Sequence, residues 1–278
     1  MANGHDAPTF EAADGRLIQP RDGLADVFRH RTFLAYWVRR NIVARYRQTT
    51  LGPLWAILLP FLSGAVYAFV FSVFLRIETG APYAAFAITN LVLWAYATRT
   101  IMTGPATLFG NLDLITRVRF PREILPLGVW LESFVDLLLG LAVAGAFFVY
   151  YQVPPTRYML LAPVVFLVYT TIILALTFLL TAVAISVRDL THIMPVLLQL
   201  LSFLAPVVYP MSIVPEAHRT LYLANPLATV FAAFEETLFL GRFTLGRELA
   251  ASAVVAVVLL FVSYRFFKRQ EWRLADLL

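Results

Sequence analysis

The sequence predicts an all-α integral membrane protein with six transmembrane helices, and three observations support this fold class. Hydrophobic residues make up 60% of the 278 residues and charged residues only 14%, whereas a soluble chain carries roughly 25% charged residues. The mean hydropathy is +0.76. Several apolar runs reach the roughly 20 residues with which a helix crosses a hydrocarbon core about 30 Å thick.

Six apolar runs are assigned as spans, at about 53–76, 83–104, 124–150, 159–187, 193–214 and 248–267. Pro53 suits the first turn of the first span, because a backbone N–H there has no intrahelical partner. Most of the 22 lysine and arginine residues flank the spans on one side, while Arg99 lies within the second span. The positive-inside rule then places both termini in the cytoplasm.

Basic and aromatic residues fill the segment before the first span. A helix over 28–48 would group Phe33 and Trp37 on one side and Arg39 and Arg40 on another, although Arg31 and Arg45 depart from this pattern. Such a helix is expected to lie along the inner membrane surface; the alternative is a solvated basic linker. Residues 1–24 have no apolar core of a signal peptide and are predicted to be a polar, flexible cytoplasmic tail. Residues 271–278 are predicted to be a second cytoplasmic tail.

Four prolines interrupt the region from the second half of the fifth span to residue 226. Asn225 followed by Pro226 is typical of a helix start, and Gly241 of a helix end. The intervening helix is too short to span. We therefore predict short re-entrant helices that dip into the outer leaflet between spans five and six; the alternative is a plain outer loop. The prolines are Pro206, Pro210, Pro215 and Pro226.

Several kinds of site are excluded by residue type. The chain has no cysteine, and its four histidines have no H-x-x-x-H spacing, so no metal site is predicted. Its one lysine, Lys268 in FFKRQ, is not in a phosphate-binding loop, which needs G-x-x-x-x-G-K-[ST]. If ATP drives this protein, another chain binds it. The net charge of +5 is explained by arginines at the membrane surface, so no nucleic-acid partner is expected.

The segment RVRFPREILP, residues 117–126, lies between spans two and three. It packs three arginines, a glutamate and two prolines into ten positions, and 105–113 just before it could form a short helix. A short, stiff, basic segment on the cytoplasmic side suits transmission of force from a soluble partner. The alternative is that its arginines only anchor the membrane topology.

Four stretches, in this order along the chain, carry a resemblance to a known family: RYRQTTLGPLWAILLPF (45–61), LITRVRFPREILPL (114–127), VRDLTHIMPVLLQLLSFLAPVVYPMSIVP (187–215) and NPL (225–227). They resemble the permease subunits of ABC-2 type exporters. The resemblance covers about residues 25–270 and is closest to the branch that exports lipid-linked polysaccharides such as O-antigen and teichoic acid. It implies two copies of this chain with two copies of a separate ATPase that binds ATP and Mg, in the bacterial cytoplasmic membrane, and no catalytic residue or cofactor on this chain.

The resemblance also assigns roles to segments. Residues 109–122 match the family's coupling helix, which sits in a cleft of the ATPase, and 187–192 match a second, smaller contact. The segment 28–48 corresponds to the family's interfacial helix and 211–240 to its outer gate helices. The candidate ATPase contacts are Phe109, Arg117, Arg119, Phe120, Arg122, Glu123, Arg188 and Asp189.

Charged and aromatic residues within the spans are further candidates. Charges at this depth are costly and should face protein or water. Arg99 and Glu132 fall in the inner half and are predicted to form an ion pair; Asp136 shares the face of Glu132 without an evident partner. A substrate or proton site is the alternative. Sugar rings stack on aromatic rings, so aromatic residues in the spans are candidates for lining a polysaccharide channel. The alternative is that they face lipid or form interfacial belts. The candidates are Tyr67, Phe71, Trp94, Tyr96, Phe203 and Tyr209.

The predicted function is export of a lipid-linked, O-antigen-like polysaccharide. The other expected partners of the chain are the membrane lipids around its spans. An ABC-2 permease for a drug, lipid or small amphiphile is the alternative within the family. A secondary transporter would show internal repeats and midplane ions, and no repeat is visible. A membrane enzyme would need a constellation of polar residues on an exposed loop, and the loops are short.

Overall fold

The computed structural model describes residues 23–47, 50–74, 82–118, 120–187 and 189–271, and within these ranges every regular element is helical. The predicted tails over 1–24 and 271–278 lie almost wholly outside these ranges, as do Arg119, Arg188 and the last two residues of the predicted first span. The all-α class is confirmed.

The described ranges contain eleven α-helices, which are numbered in chain order. Short 3₁₀ helices precede α3 (Gly52–Leu54), α7 (Arg157–Leu161) and α9 (Met211–Ile213), and π-helices extend α3 (Phe69–Phe74) and α10 (Glu236–Leu240). The α-helices are α1 Leu24–Arg29, α2 Arg31–Tyr46, α3 Trp55–Ala68, α4 Tyr83–Phe109, α5 Leu112–Arg117, α6 Ile124–Tyr150, α7 Ala162–Ser186, α8 Leu190–Leu204, α9 Glu216–Leu223, α10 Pro226–Glu235 and α11 Gly246–Gln270.

Three helices in the described ranges are long and apolar enough to cross a membrane: Ile124–Tyr150, Arg157–Ser186 and Gly246–Gln270. Helix α4 has 27 residues, equal to α6, but it is more polar and carries Asn90 and Arg99. Most of its length is buried by other helices. A helix in the centre of a bundle has protein rather than lipid around it, so it tolerates these polar residues.

The helix predicted over 28–48 is divided at His30 into α1 and α2, and two larger differences lie at the end of span five and after span two. Helix α8 ends at Leu204, ten residues before the predicted end of span five, since Ala205 is extended and Pro206 and Pro210 cannot donate helical hydrogen bonds. The short helix predicted over 105–113 is also wrong. Pro105 lies inside α4, which runs on to Phe109, and the separate short helix is α5.

Helix α4 packs against α3, α6, α7 and α8, and α7 pairs along its length with α11. Small residues allow the closest approaches: a Cβ atom on Gly140 of α6 would lie 2.6 Å from Val92 Cγ1 of α4, and one on Gly104 of α4 would lie 2.7 Å from Thr181 Oγ1 of α7. Close backbone contact at glycines is how helices associate in lipid, where hydrophobic exclusion gives no drive.

The bundle has two distinct ends. At one end, α2 and α5 pack against the last turns of α4 and α7 and the first turn of α6. We call this the basic end. These helices share an apolar cluster of Trp37, Leu108, Ile115, Leu125 and Ile185. The opposite end holds the first turn of α4, the last turn of α6 and the π-helix after α10, joined through Tyr83, Phe148 and Phe239.

Candidate functional site

Helix α5 is the centre of the basic end. The chain turns at Gly110 and Asn111 after α4, and the Asn111 side chain donates to Thr107 O at 2.7 Å. Ile115 of α5 is buried in the cluster with Trp37. After α5, the Phe120 ring lies 5.2 Å from the Phe33 ring of α2. The short helix is therefore held against α2, α4, α6 and α7 at once.

A second set of contacts ties this segment to the end of α11. The side chains of Arg122, Glu123, Lys268 and Glu271 form what we call the end clamp. Glu123, which has no exposed surface, lies 2.9 Å from Lys268 Nζ, and Lys268 Nζ lies 2.7 Å from Glu271 Oε2. Arg122 Nη1 donates to Glu271 O at 2.5 Å. Burial raises the pKa of the Glu271 carboxyl, and Lys268 opposes that rise.

The predicted ATPase contacts lie in different environments. Phe120, Arg122 and Glu123 are used in contacts within the chain. Asp189, just before α8, is exposed. The remaining residues are Phe109, half-buried at the end of α4; Arg117, at the end of α5 with a side chain outside the described set; and Arg119 and Arg188, outside the described residues.

A charged network connects α2 to the interior of the bundle. Arg45 of α2 donates to Asp136 Oδ2 at 2.8 Å and to Glu132 Oε2 at 3.2 Å. Asn41, one turn earlier, donates to Glu132 Oε1 at 2.7 Å. Arg99 Nη1 of α4 lies 2.7 Å from Asp136 Oδ2. Among the described residues, two guanidinium groups thus face two carboxylates.

This pairing differs from the predicted one. The direct contact of Arg99 is with Asp136, while Glu132 lies within reach of its charge. Asp136, for which the sequence suggested no partner, contacts both Arg45 and Arg99. Sequence reasoning missed Arg45 and Asn41 as members of the network. The available signal was the departure of Arg45 from the amphipathic pattern of α2: it lies on the apolar side because that side faces α6.

The predicted channel aromatics occupy different environments. Tyr96 is buried in the core with its hydroxyl 2.6 Å from Thr170 Oγ1, and Trp94 packs on Phe231. Tyr67 and Phe71 stack beside Tyr83. Phe203 is exposed, and Tyr209 donates to its carbonyl at 2.5 Å. Most of these rings therefore support packing in a single chain, and Phe203 is the one with a largely free face.

Near the opposite end, helices α9 and α10 follow the broken end of α8. The Asn225 side chain accepts from Leu227 N at 3.1 Å, with Pro226 in the first turn, and Gly241 ends the helix with φ 60°. The predicted start and stop are confirmed. Every residue of α10 except Pro226 is buried, so this short helix is part of the core rather than a surface loop.

Two consecutive glutamates, Glu235 and Glu236, are buried at the end of α10 beside a cavity of about 500 Å³. Glu235 Oε2 accepts from Met211 N at 2.8 Å. Glu236 accepts from Thr244 N at 2.6 Å and lies 3.4 Å from Arg242 Nε. Burial raises the pKa of Glu235 to about 7, a rise that the Met211 amide limits. We call this space the glutamate cavity.

The apolar helices of the bundle define an integral membrane protein. The chain belongs to the ABC-2 type transporter family, whose sequence model matches residues 33–239, from α2 to the π-helix after α10. It is therefore a multi-pass protein of the bacterial inner membrane.

Three similar proteins are each named O-antigen export system permease protein RfbA. One, from Myxococcus xanthus, is 33% identical over 253 residues, covering 90% of this chain and 97% of the relative. Two from Klebsiella pneumoniae are each 23% identical, covering 86% of this chain and 92% of the relative. The similarity thus extends over nearly the full length of both chains, including helices outside the family match.

Proposed function

We propose that this chain is the channel-forming permease subunit of an ABC transporter that exports a lipid-linked, O-antigen-like polysaccharide across the inner membrane. The observation that carries the proposal is the end-to-end similarity to permeases named for O-antigen export. Two copies of this chain would act with two copies of a separate ATPase, which supplies the ATP and Mg chemistry.

The geometry of the basic end supports a coupling role for α5. Its apolar side chains pack into the cluster around Trp37, and the segment after it is held to α11 by the end clamp. A push on α5 would therefore be passed to α2, α6 and α11 together. Val118, Val187 and Asp189 are exposed at or beside this end and are proposed to face the ATPase, with Arg117, Arg119 and Arg188 as neighbours in sequence.

Deletion of the gene tests the proposed substrate. We expect full-length lipid-linked polymer to accumulate inside the cell and to disappear from the surface, because synthesis continues while export stops. The measurement is surface labelling of the polymer beside its total amount in lysed cells, with the gene restored on a plasmid as control. An unchanged surface polymer would exclude this substrate and favour a drug, lipid or other small amphiphile.

We further propose six spans with both termini in the cytoplasm. A single cysteine in place of Glu216 on α9, whose side chain is 91% exposed, is expected to react with an impermeant maleimide in intact cells. The chain has no native cysteine to interfere. Glu236 is unsuitable for this purpose, since it is buried and hydrogen-bonded.

The matched control is a cysteine in place of Asp189, which is exposed before α8. It should react only after the membrane is permeabilised. The reverse pattern, with Asp189→Cys labelled in intact cells and Glu216→Cys protected, would invert the proposed topology.

A further inference from the structure

The glutamate cavity has the composition of a site for a polar ligand. Its volume of about 500 Å³ falls within the roughly 300–1,000 Å³ of small-molecule sites. Two guanidinium groups, Arg219 and Arg242, line it together with the carboxylates of Glu235 and Glu236. The charged residues that line it balance, so it offers neither an excess of anions for a metal ion nor an excess of cations for a phosphate.

One carboxylate oxygen of this cavity has an unused hydrogen-bonding capacity. Glu235 is only 4% exposed, and its Oε2 is taken by Met211 N. Its Oε1 accepts no hydrogen bond from the described residues, and it is not among the fully enclosed polar atoms without partners. Oε1 therefore reaches the cavity. A buried carboxylate oxygen without a partner is costly unless a ligand or water donates to it.

Both carboxylate oxygens of Glu236, in contrast, accept hydrogen bonds. Thr244 donates to both of its oxygens, from the backbone and from the hydroxyl, and Arg242 lies beside it. Its role is to hold Thr244 and Arg242 at the wall of the cavity. Arg219 donates its Nε to Val214 O at 3.2 Å and pairs loosely with Glu216 at 3.7 Å, which leaves donors of the guanidinium group available.

The walls between these groups are apolar. Leu223, Leu240 and Leu245 line the cavity with Ala232. A hydroxyl group both donates and accepts, so it matches a carboxylate oxygen next to guanidinium donors. The C–H faces of a sugar ring match leucine side chains. A neutral, polyhydroxylated molecule fits this combination better than an ion does.

We propose that the glutamate cavity binds a saccharide unit of the polymer, with Glu235 Oε1 accepting from a sugar hydroxyl and the Arg219 and Arg242 guanidinium groups donating to neighbouring hydroxyls. This inference rests on the proposed function, since it takes the exported polysaccharide as the ligand. It places a sugar-binding subsite between α9, α10 and the start of α11, formed by one chain.

Cysteine protection tests the subsite in cells. Ser212, an exposed residue of the cavity wall, is replaced by cysteine in the full transporter, and maleimide labelling is timed in cells that make the polymer and in cells that cannot. Labelling is expected to be several-fold slower when polymer is made. Ala217→Cys, exposed on α9 and outside the cavity, should react at one rate in both strains.

A second variant identifies the role of Glu235. Glu235→Gln keeps an oxygen for Met211 N but removes the charge, and it is expected to abolish most of the protection of Ser212→Cys. Glu248→Gln, on the first turn of α11 and outside the cavity, is the matched control and should leave the protection intact. Protection that persists in Glu235→Gln would overturn the assignment of this residue.

The outcomes separate this inference from the proposed function. If surface polymer depends on the gene but Ser212→Cys reacts equally in both strains, the subsite is wrong and the exporter function stands. If surface polymer does not depend on the gene, the proposed function fails, and the saccharide assignment fails with it.

Discussion

Replacing Lys268 with methionine is expected to lower the free energy of unfolding by about 3–5 kcal/mol, the usual effect of breaking a buried ion pair by removing one partner. Glu123 has no exposed surface, and Lys268 Nζ at 2.9 Å is its cationic partner. Tyr264 OH, at 3.2 Å from the same oxygen, is a neutral donor and cannot replace the charge. The other oxygen, Oε2, already lacks a hydrogen-bond partner among the described residues.

The effect should extend beyond the pair. Lys268 also neutralises Glu271, whose backbone and side chain hold Arg122. Loss of the lysine therefore releases the end of α11 from the start of α6, next to the segment proposed to meet the ATPase. We expect transport to fall further than the amount of folded protein does.

Thermal unfolding of the purified permease, with ATPase-driven export measured in parallel, tests this expectation. The matched control is Arg265→Met on the same helix, an exposed cation over the Phe261 ring, which should change stability by less than about 1 kcal/mol. The double variant Lys268→Met with Glu123→Gln should recover part of the loss, because it no longer buries an unpaired charge. If Lys268→Met alone melts at the same temperature as the wild type, the end clamp does not contribute to the stability of the fold.

Much of the fold could be predicted because its signals are local. The bounds of α6 agree with the predicted span over 124–150, since that run is continuously apolar. The cap at Asn225 and the stop at Gly241 follow from backbone rules that involve only neighbouring residues. The end of α8 was missed because an apolar composition continues past Leu204 while the prolines end the helix.

The candidate site was harder to predict, because its contacts join distant residues. Arg45 meets Glu132 and Asp136 from 87 and 91 positions away, and Glu123 meets Lys268 across the five helices α6 to α10. The sequence indicates that Arg99, Glu132 and Asp136 need partners, since isolated charges in a membrane are costly. It does not indicate which helix supplies each partner, because the pairing depends on the rotation and depth of every helix.

Replacing Gly128 with alanine is the second change for which we expect a large effect. A Cβ atom at this position in α6 would lie 2.8 Å from Trp37 Cδ1 and 3.2 Å from Trp37 Nε1. Trp37 is 1% exposed and sits in the apolar cluster of the basic end, so its rigid ring has little room to move. Overpacking of this kind typically costs about 1–3 kcal/mol.

The displacement should reach the charged network, because Trp37, Asn41 and Arg45 lie on successive turns of α2. Moving Trp37 away from α6 would lengthen the 2.7 Å contact of Asn41 with Glu132 and the 2.8 Å contact of Arg45 with Asp136. Gly128→Ala is therefore expected to lower the melting temperature and to impair export, and Gly128→Val to do both more strongly.

Helix α6 supplies its own control at Gly145, where a Cβ atom would meet nothing within 4 Å. The same substitution there, Gly145→Ala, should keep stability or raise it by about 0.5–1 kcal/mol, the ordinary gain of alanine over glycine inside a helix. Melting temperatures of the two variants, measured in one detergent beside export in cells, separate the contact from the helix propensity. Equal effects at both positions would mean that α2 is free to shift on α6, and that Trp37 does not fix the interfacial helix to the bundle.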